Sequence, residues 1–179
     1  MKKELITFEA ADVVTVSPVE NTLFIIDYQA WHAKKQLEVL LAQEGVSCQI
    51  ICAYKLLPNQ ILDLVTRVTH IAPNTSCDTK VRGVLYDKAK STYIGEIVID
   101  SRAQGSSSYL ENAALVIGSA THNHTEPILK IEADDVSASH SSFTGRIDAG
   151  LLYYLQSRGM AITQAEKLLA KAFLASVGV

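Results

Sequence analysis

The sequence predicts a mainly β chain that ends in two short helices, and three observations carry that expectation. Between about residue 36 and residue 147, short segments alternate apolar and polar positions with period two, the signature of half-buried strands. Asn, Asp, Ser and Gly separate these segments at intervals of roughly ten to sixteen residues. After Asp148 the apolar spacing changes to the i, i+3, i+4 pattern of amphipathic helices. Two all-β architectures fit such a pattern: a sandwich or barrel of hairpins, and a solenoid whose strands stack turn upon turn. Two-residue hairpins favour Asn-Gly or Asp-Gly pairs, and the chain has neither. It does offer Gly83, Gly95, Gly118, Ala113, Ala114, Ala120, Ala133 and Ala138 as small residues suited to a narrow lumen. The pattern therefore leans toward the solenoid, with the sandwich or barrel still open. Irregular spacing argues against a strict hexapeptide or leucine-rich repeat.

Taken in order, TFEAADVVTV and TLFIIDY read as N-terminal strands. They are followed by LEVLLA, SCQIICAY, VTHIAP, KVRGVLYD, STYIGEIVID, AALVIG, PILKIEA and DVSASH. In TYIGEIVID, Ile94, Glu96, Val98 and Asp100 share one face, and Gly95, Ile97 and Ile99 share the other. The Ser-rich stretch at 106–109 reads as a turn between coils. Asp148 suits an N-cap for a helix over 149–158, with Leu151, Leu152, Tyr154 and Leu155 as its apolar face and Gly159 as its stop. Thr163-Gln-Ala-Glu166 has the form of a capping box. Behind it, Ala165, Leu168, Leu169, Ala172 and Phe173 form a second apolar face. The expected division is a β core over 1–147 and a helical cap over 148–179. The helix pair would either seal the open edge of the last β-layer or present a face to a partner.

Bulk composition excludes several classes. A chain of 179 residues that is 48% hydrophobic can fill a core. Sixteen basic and nineteen acidic residues give a net charge of -3, without the basic footprint that nucleic acid requires. The start, MKKELITFEAAD, lacks the apolar stretch of a signal peptide, and no run reaches the length of a membrane span. Three cysteines, Cys48, Cys52 and Cys77, are an odd number, as expected for reduced thiols in a cytoplasmic protein.

From Pro127, PILKIEADDVSASHSSFTGRIDAGLLYYLQSRGM strongly resembles the late core of the SufB/SufD proteins of the SUF iron–sulfur cluster assembly system. Upstream, VTHIAPNTSCDTKVRGVLYDKAKSTYIGEIVI resembles that family's His-x-Ala-Pro-x-Thr-Ser passage and the Gly-x-Ile-x-Val strands after it. The likeness spans roughly residues 36 to 175. It implies a right-handed parallel β-helix with a helical C-terminal region. It also implies pairing with a SufB/SufD-like subunit or with itself, and binding of SufC, an ABC-type ATPase, through the C-terminal helices. Such a protein is a non-enzymatic scaffold for a nascent iron–sulfur cluster, and ATP hydrolysis belongs to its partner. The chain is shorter than typical members, and their N-terminal helical domain has no counterpart in it. Asn112 stands where SufB has a functional Cys, and Ser141 where SufB has Glu. Both departures point toward SufD, or toward a paralogue without cluster chemistry.

By the same resemblance, His140 matches a SufD histidine that takes part in cluster formation at the subunit interface. Strand parity groups it with Val136 and Ala138, so an inward Val136 implies an inward imidazole needing a hydrogen-bond partner. As a ligand it would use a neutral ring nitrogen; its plainer role is structural, bonded to nearby Ser or backbone groups. His122 and His124 share a face in a strand, and Glu126 joins them, a donor set suited to zinc or ferrous iron. The cupin spacing is not met, since Gly118 is too close and Glu126 comes too soon; the alternative is a solvent-facing turn. Cys48 and Cys52 share a strand face but fit neither a zinc finger nor a ferredoxin run, and with Cys77 they read as buried packing residues. His70 in the THIAP turn reads as structural, while Trp31 and His32 receive no role. No nucleophile elbow, P-loop or dinucleotide fingerprint is present. Tyr153, Tyr154, Arg158 and Phe173 are candidates for contact with a partner; Tyr154 and Phe173 suit packing on the β core equally well. The leading expectation is a SufB/SufD-like scaffold or accessory component that carries a transient cluster. The alternatives are a structural or interaction solenoid that has lost this chemistry and, third, a small metal-dependent enzyme using His122 and His124.

Overall fold

The computed structural model describes residues 1–8, 12–26, 28 and 34–177; Trp31 and His32 lie outside them. Strands β1 (Lys2–Ile6), β2 (Val13–Val16), β3 (Thr22–Ile26), β4 (Lys35–Leu41), β5 (Ser47–Leu56) and β6 (Ile61–His70) come first. Then follow β7 (Ser76–Leu85), β8 (Lys90–Ile99), β9 (Ser107–Val116), β10 (His122–Ile131) and β11 (Ser137–Arg146). The chain continues into helices α1 (Ala149–Ser157) and α2 (Ile162–Ala175). Alternate strands enter opposite sheets. One sheet has the order β1-β3-β5-β7-β9-β11, the other β10-β8-β6-β4-β2, and every pairing is parallel. The architecture is a parallel β-solenoid, which settles the choice against hairpins.

The corners explain why the chain coils. One residue with positive φ marks each corner from β4 to β10: Gly45, Asn59, Asn74, Lys88, Gly105 and Gly118. Glycine and asparagine tolerate that left-handed conformation best, so such residues turn the chain sharply without disturbing the strands they join. Hydrogen bonds then tie corner to corner, as between Asn74 N–H and the Gln104 carbonyl at 2.9 Å.

Columns of residues stack from turn to turn. The first positions of four strands align on the outer face as Ser47, Ser76, Ser107 and Ser137, and the column beside them turns inward. That inward column runs Thr22, Cys48, Cys77, Ser108 and Ala138. Ile50, Leu62, Leu64, Leu85, Ile97 and Ile99 fill the lumen with little or no exposure, each contributing about 1.5–3 kcal/mol of transfer free energy. Large and small residues alternate where space is tight. A Cβ on Gly83 would run into the ring of its register partner Tyr54, and one on Gly95 into Leu110. The buried Tyr54 hydroxyl crosses to Ser91 Oγ at 2.9 Å, and the Tyr93 hydroxyl meets Thr66 Oγ1 at 2.7 Å. These bonds satisfy polar groups that would otherwise be stranded in an apolar lumen.

Three local expectations need correcting. Ser107–Tyr109 open strand β9 and Ser106 is buried, so the Ser-rich stretch is not simply a turn. The His122–Glu126 segment lies in β10 rather than in a turn. Helix α2 starts one residue before Thr163, with Ala161 at the N-cap and no side-chain cap bond, so the capping box does not form. Its apolar face is also rotated. Ala165 and Ala170 are buried, Phe173, Leu174 and Val177 pack on the sheet, and Leu168 is left exposed. Asp148 does cap α1, accepting from Leu151 N–H at 2.8 Å, and Gly159 ends it with φ 87°.

The helices do not lid the solenoid. Helix α2 runs back across the outer face of the sheet containing β7, from Val84 and Leu115 toward Leu23 and Ile51. Arg82 holds it from below: its guanidinium lies 5.7 Å from the Phe173 ring centre and pairs with Glu111. Helix α1 buries none of its residues. Among the described residues nothing covers the last turn of the solenoid.

Candidate functional site at the open end of the solenoid

Among the described residues, strands β10 and β11 end their sheets, each paired on one side only. The direction of their free hydrogen-bonding groups follows from the ladder. Ser137 N–H donates to the Ser106 carbonyl. Alternation along the strand then turns the N–H and C=O of Ala138, His140, Ser142 and Thr144 toward the open edge. In β10, His122 N–H donates to Ala89 and Glu132 N–H to Ile99, so the odd-numbered residues between them face outward from the sheet edge. Pro127 is one of these, and a proline at that position costs no internal hydrogen bond. Two adjacent ten-residue edges therefore present unpaired backbone, the arrangement that most readily accepts another strand.

The inward columns change character on reaching this end. Ile50, Thr79, Leu110 and His140 form one column; Cys52, Val81, Asn112 and Ser142 the next; Tyr54, Gly83, Ala114 and Thr144 a third. His140 thus points inward, as its parity with the half-buried Val136 and Ala138 requires. It is exposed rather than half-buried, because among the described residues no further turn stacks on β11. Polar ties close the mouth of the lumen. Thr125 Oγ1 donates to Asn112 Oδ1 at 3.1 Å, and Asn123 Nδ2 donates to Thr144 Oγ1 at 2.8 Å, joining the two sheets. Asn112 Nδ2 and Asn123 Oδ1 are buried without a partner among the described residues, a costly state for a donor and an acceptor. The resemblance to SufB singles out Asn112 but not Asn123, whose role appears only when the two sheets are seen to meet.

His122, His124 and Glu126 occupy the outward side of β10. His124 Nε2 lies 3.8 Å from Glu126 Oε2, and all three residues are exposed. The structure brings them together on one face, but places His140 on the inward side of the other sheet. Among the described residues no group of three His, Cys, Asp or Glu side chains could hold a metal ion within this chain. Cys48, Cys52 and Cys77 are buried deeper in the lumen.

The helices form a second candidate surface. In α1, Leu151 is 52%, Tyr153 75% and Tyr154 54% exposed, and Ile162 and Leu168 extend the apolar area onto α2. Arg158 lies 5.4 Å over the Tyr154 ring. Phe173 instead packs against the sheet. Among the described residues no helix is long and apolar enough to cross a membrane.

Comparison with known proteins bears directly on this architecture. Residues 7–173 match the profile described as SUF system FeS cluster assembly, SufBD core domain. The chain belongs to the SufBD family. It is 33% identical over 118 residues to the iron–sulfur cluster assembly protein SufD of Bacillus subtilis, covering 66% of this chain and 27% of that protein. It is 29% identical over 141 residues to an iron–sulfur cluster assembly SufBD family protein of Mycobacterium leprae, covering 74% of this chain and 36% of the relative. A longer SufBD family protein of Mycobacterium tuberculosis is 28% identical over 116 residues, 65% of this chain and 14% of its own length. The chain thus spans only a fraction of the length of the relatives it matches. The profile's description and the relatives' names are those of SUF-system iron–sulfur cluster assembly, and SufD is among the named relatives the chain resembles.

Proposed function

We propose that the chain is a non-enzymatic scaffold or accessory subunit of cytoplasmic iron–sulfur cluster assembly, acting as a dimer joined at the open end of the solenoid. The observation that carries this reading is the pair of unpaired edges on β10 and β11, with His140 turned inward between them. A second SufBD-type subunit, or a second copy, would extend the sheets by strand addition, the mode in which main-chain hydrogen bonds supply affinity. It would also roof the polar column of Asn112, His140, Ser142 and Thr144, bringing a second set of donors to an imidazole that has too few in its own chain. The cluster is then cargo, held at the junction. The exposed face of α1, with Leu151, Tyr153, Tyr154 and Arg158, is the surface proposed for a SufC-like ABC ATPase, which would supply hydrolysis.

Two measurements test this. Sedimentation of the wild type should show a dimer, with itself or with a SufB-like subunit. Ser142→Pro should abolish it without unfolding the chain, since that N–H faces the open edge and takes no part in pairing with β9. Anaerobic reconstitution with iron and sulfide should give visible absorbance for the dimer and lose it for His140→Ala. A monomer at all concentrations, alone and with a SufB-like partner, would sink the dimer. A folded dimer that binds no cluster would favour the second reading, a structural SufBD-type solenoid without cluster chemistry, which Asn112 and Ser141 support.

A further inference from the structure

Deeper in the lumen lies a pair of side chains that assembly at the open end does not use. Cys48 of β5 and Cys77 of β7 are register partners in neighbouring parallel strands. Both are buried, at 2% and 1% exposure, and their sulfurs lie 2.8 Å apart. Adjacent strands run about 4.8 Å apart, within the roughly 4.4–6.8 Å Cα separation that a disulfide accepts. A sulfur–sulfur bond is about 2.05 Å long, so the two atoms need move together by less than about an ångström. Cys52 is differently placed. Its register partners are Ile26 and Val81, so it has no thiol opposite it. The pair is not a metal centre either, since among the described residues no third His, Cys, Asp or Glu joins it.

We propose that Cys48 and Cys77 form an oxidisable dithiol, a covalent modification site at which a small peroxide staples two successive turns of the solenoid. One sulfur attacks the peroxide oxygen and becomes a sulfenic acid, releasing the first water. The second sulfur then displaces the hydroxyl as a second water and closes the disulfide. Two thiols lose two electrons and two protons, and hydrogen peroxide is reduced to two waters. Contact with Cys48 and burial hold the Cys77 thiol well above the usual thiol range, so the reaction is slow at rest and needs an oxidant small enough to enter the lumen. The link would close a loop of one solenoid turn, removing entropy from the unfolded chain.

The test treats the folded full chain with hydrogen peroxide, then unfolds it and alkylates the remaining thiols with N-ethylmaleimide. One of the three cysteines, Cys52, should remain alkylatable. Proteolysis should yield a peptide joining Cys48 to Cys77 that dithiothreitol separates, and the oxidised chain should melt at a higher temperature. Cys52→Ser should keep the link and Cys48→Ser should abolish it. Three alkylatable thiols after prolonged oxidation, a link that includes Cys52, or one that joins two chains would overturn the proposal. The wild-type readout stands even where a cysteine variant folds poorly.

Discussion

Acid should destabilise this protein through His70, and the size of the effect follows from the structure. The ring is completely buried at the end of β6. Its Nδ1 lies 2.8 Å from Thr75 Oγ1, and that hydroxyl reaches the Ala72 carbonyl at 3.2 Å. A hydroxyl that donates to the carbonyl must accept from Nδ1–H, which fixes the neutral tautomer and leaves Nε2 bare in the lumen, without a partner. A second proton on Nε2 would place a cation in dry surroundings with no acceptor. Burial accordingly lowers the imidazole from 6.5 to about 4. Between those values the unfolded chain holds a proton that the folded chain refuses, so stability rises with pH. The contribution is complete above pH 6.5 and is lost as pH falls toward 4. At about 1.36 kcal/mol per unit the full loss is about 3 kcal/mol, and about 2 kcal/mol is already gone near pH 5. Urea unfolding of wild type and His70→Gln at about pH 7, 6 and 5 measures this. The variant starts less stable, but its stability should fall less on acidification, by about 2 kcal/mol over that span. Parallel pH profiles would show that His70 is not kept neutral by burial, and the reasoning would fail.

Other consequences are more local. Gly83→Ala should cost about 1–3 kcal/mol in urea unfolding, because the added methyl meets the buried Tyr54 ring. The outer ladder Glu38–Arg67–Glu96–Lys130 converges on Glu96, whose side chain is 5% exposed and bonded by both Arg67 and Lys130. Burial opposes its charge, yet bonds from Lys130 and Arg67 hold the carboxyl below the usual value. Glu96→Gln should therefore lower stability above pH 4.5 and leave a shallower loss below it. Tyr153→Ala on α1 should leave the melting temperature within about a degree, since the side chain is 75% exposed. It should weaken binding of a SufC-like ATPase by about tenfold or more if this face is the docking surface; unchanged affinity in calorimetry would move the contact elsewhere.

Period two made most strands legible, because one lumen-facing residue in every two is a local property. In TYIGEIVID the face assignment holds residue by residue: Gly95, Ile97 and Ile99 are inward and buried, while Ile94 and Val98 face out. Polar stretches misled. Ser107–Tyr109 and His122–Glu126 look like turns, yet both are strands: Ser108, Asn123 and Thr125 turn inward, while His122, His124 and Glu126 face solvent. The helices were legible as helices but not in placement. An apolar stripe shows that something is covered, and not whether it is a sheet face or an open end. The rotated face of α2 comes from the shape it meets: small Ala170 allows close approach over Val84 and Leu115.

The site became legible only at the longer period. Along the chain, SASHSSFTGR is simply a polar strand with a histidine. Stacked on its register partners it is the end of columns that begin apolar: Ile50 leads through Thr79 and Leu110 to His140, and Cys52 through Val81 and Asn112 to Ser142. Each inner turn can afford Leu or Ile because the next turn roofs it. The last turn has no roof of its own, and an apolar lumen face there would be a large exposed hydrophobic patch. Small hydroxyl residues and an imidazole in those positions keep the end soluble when uncovered and able to hydrogen-bond when covered. That double demand explains why the chain becomes polar just before it turns helical, and why the two buried, unpartnered amide atoms of Asn112 and Asn123 lie beside this mouth.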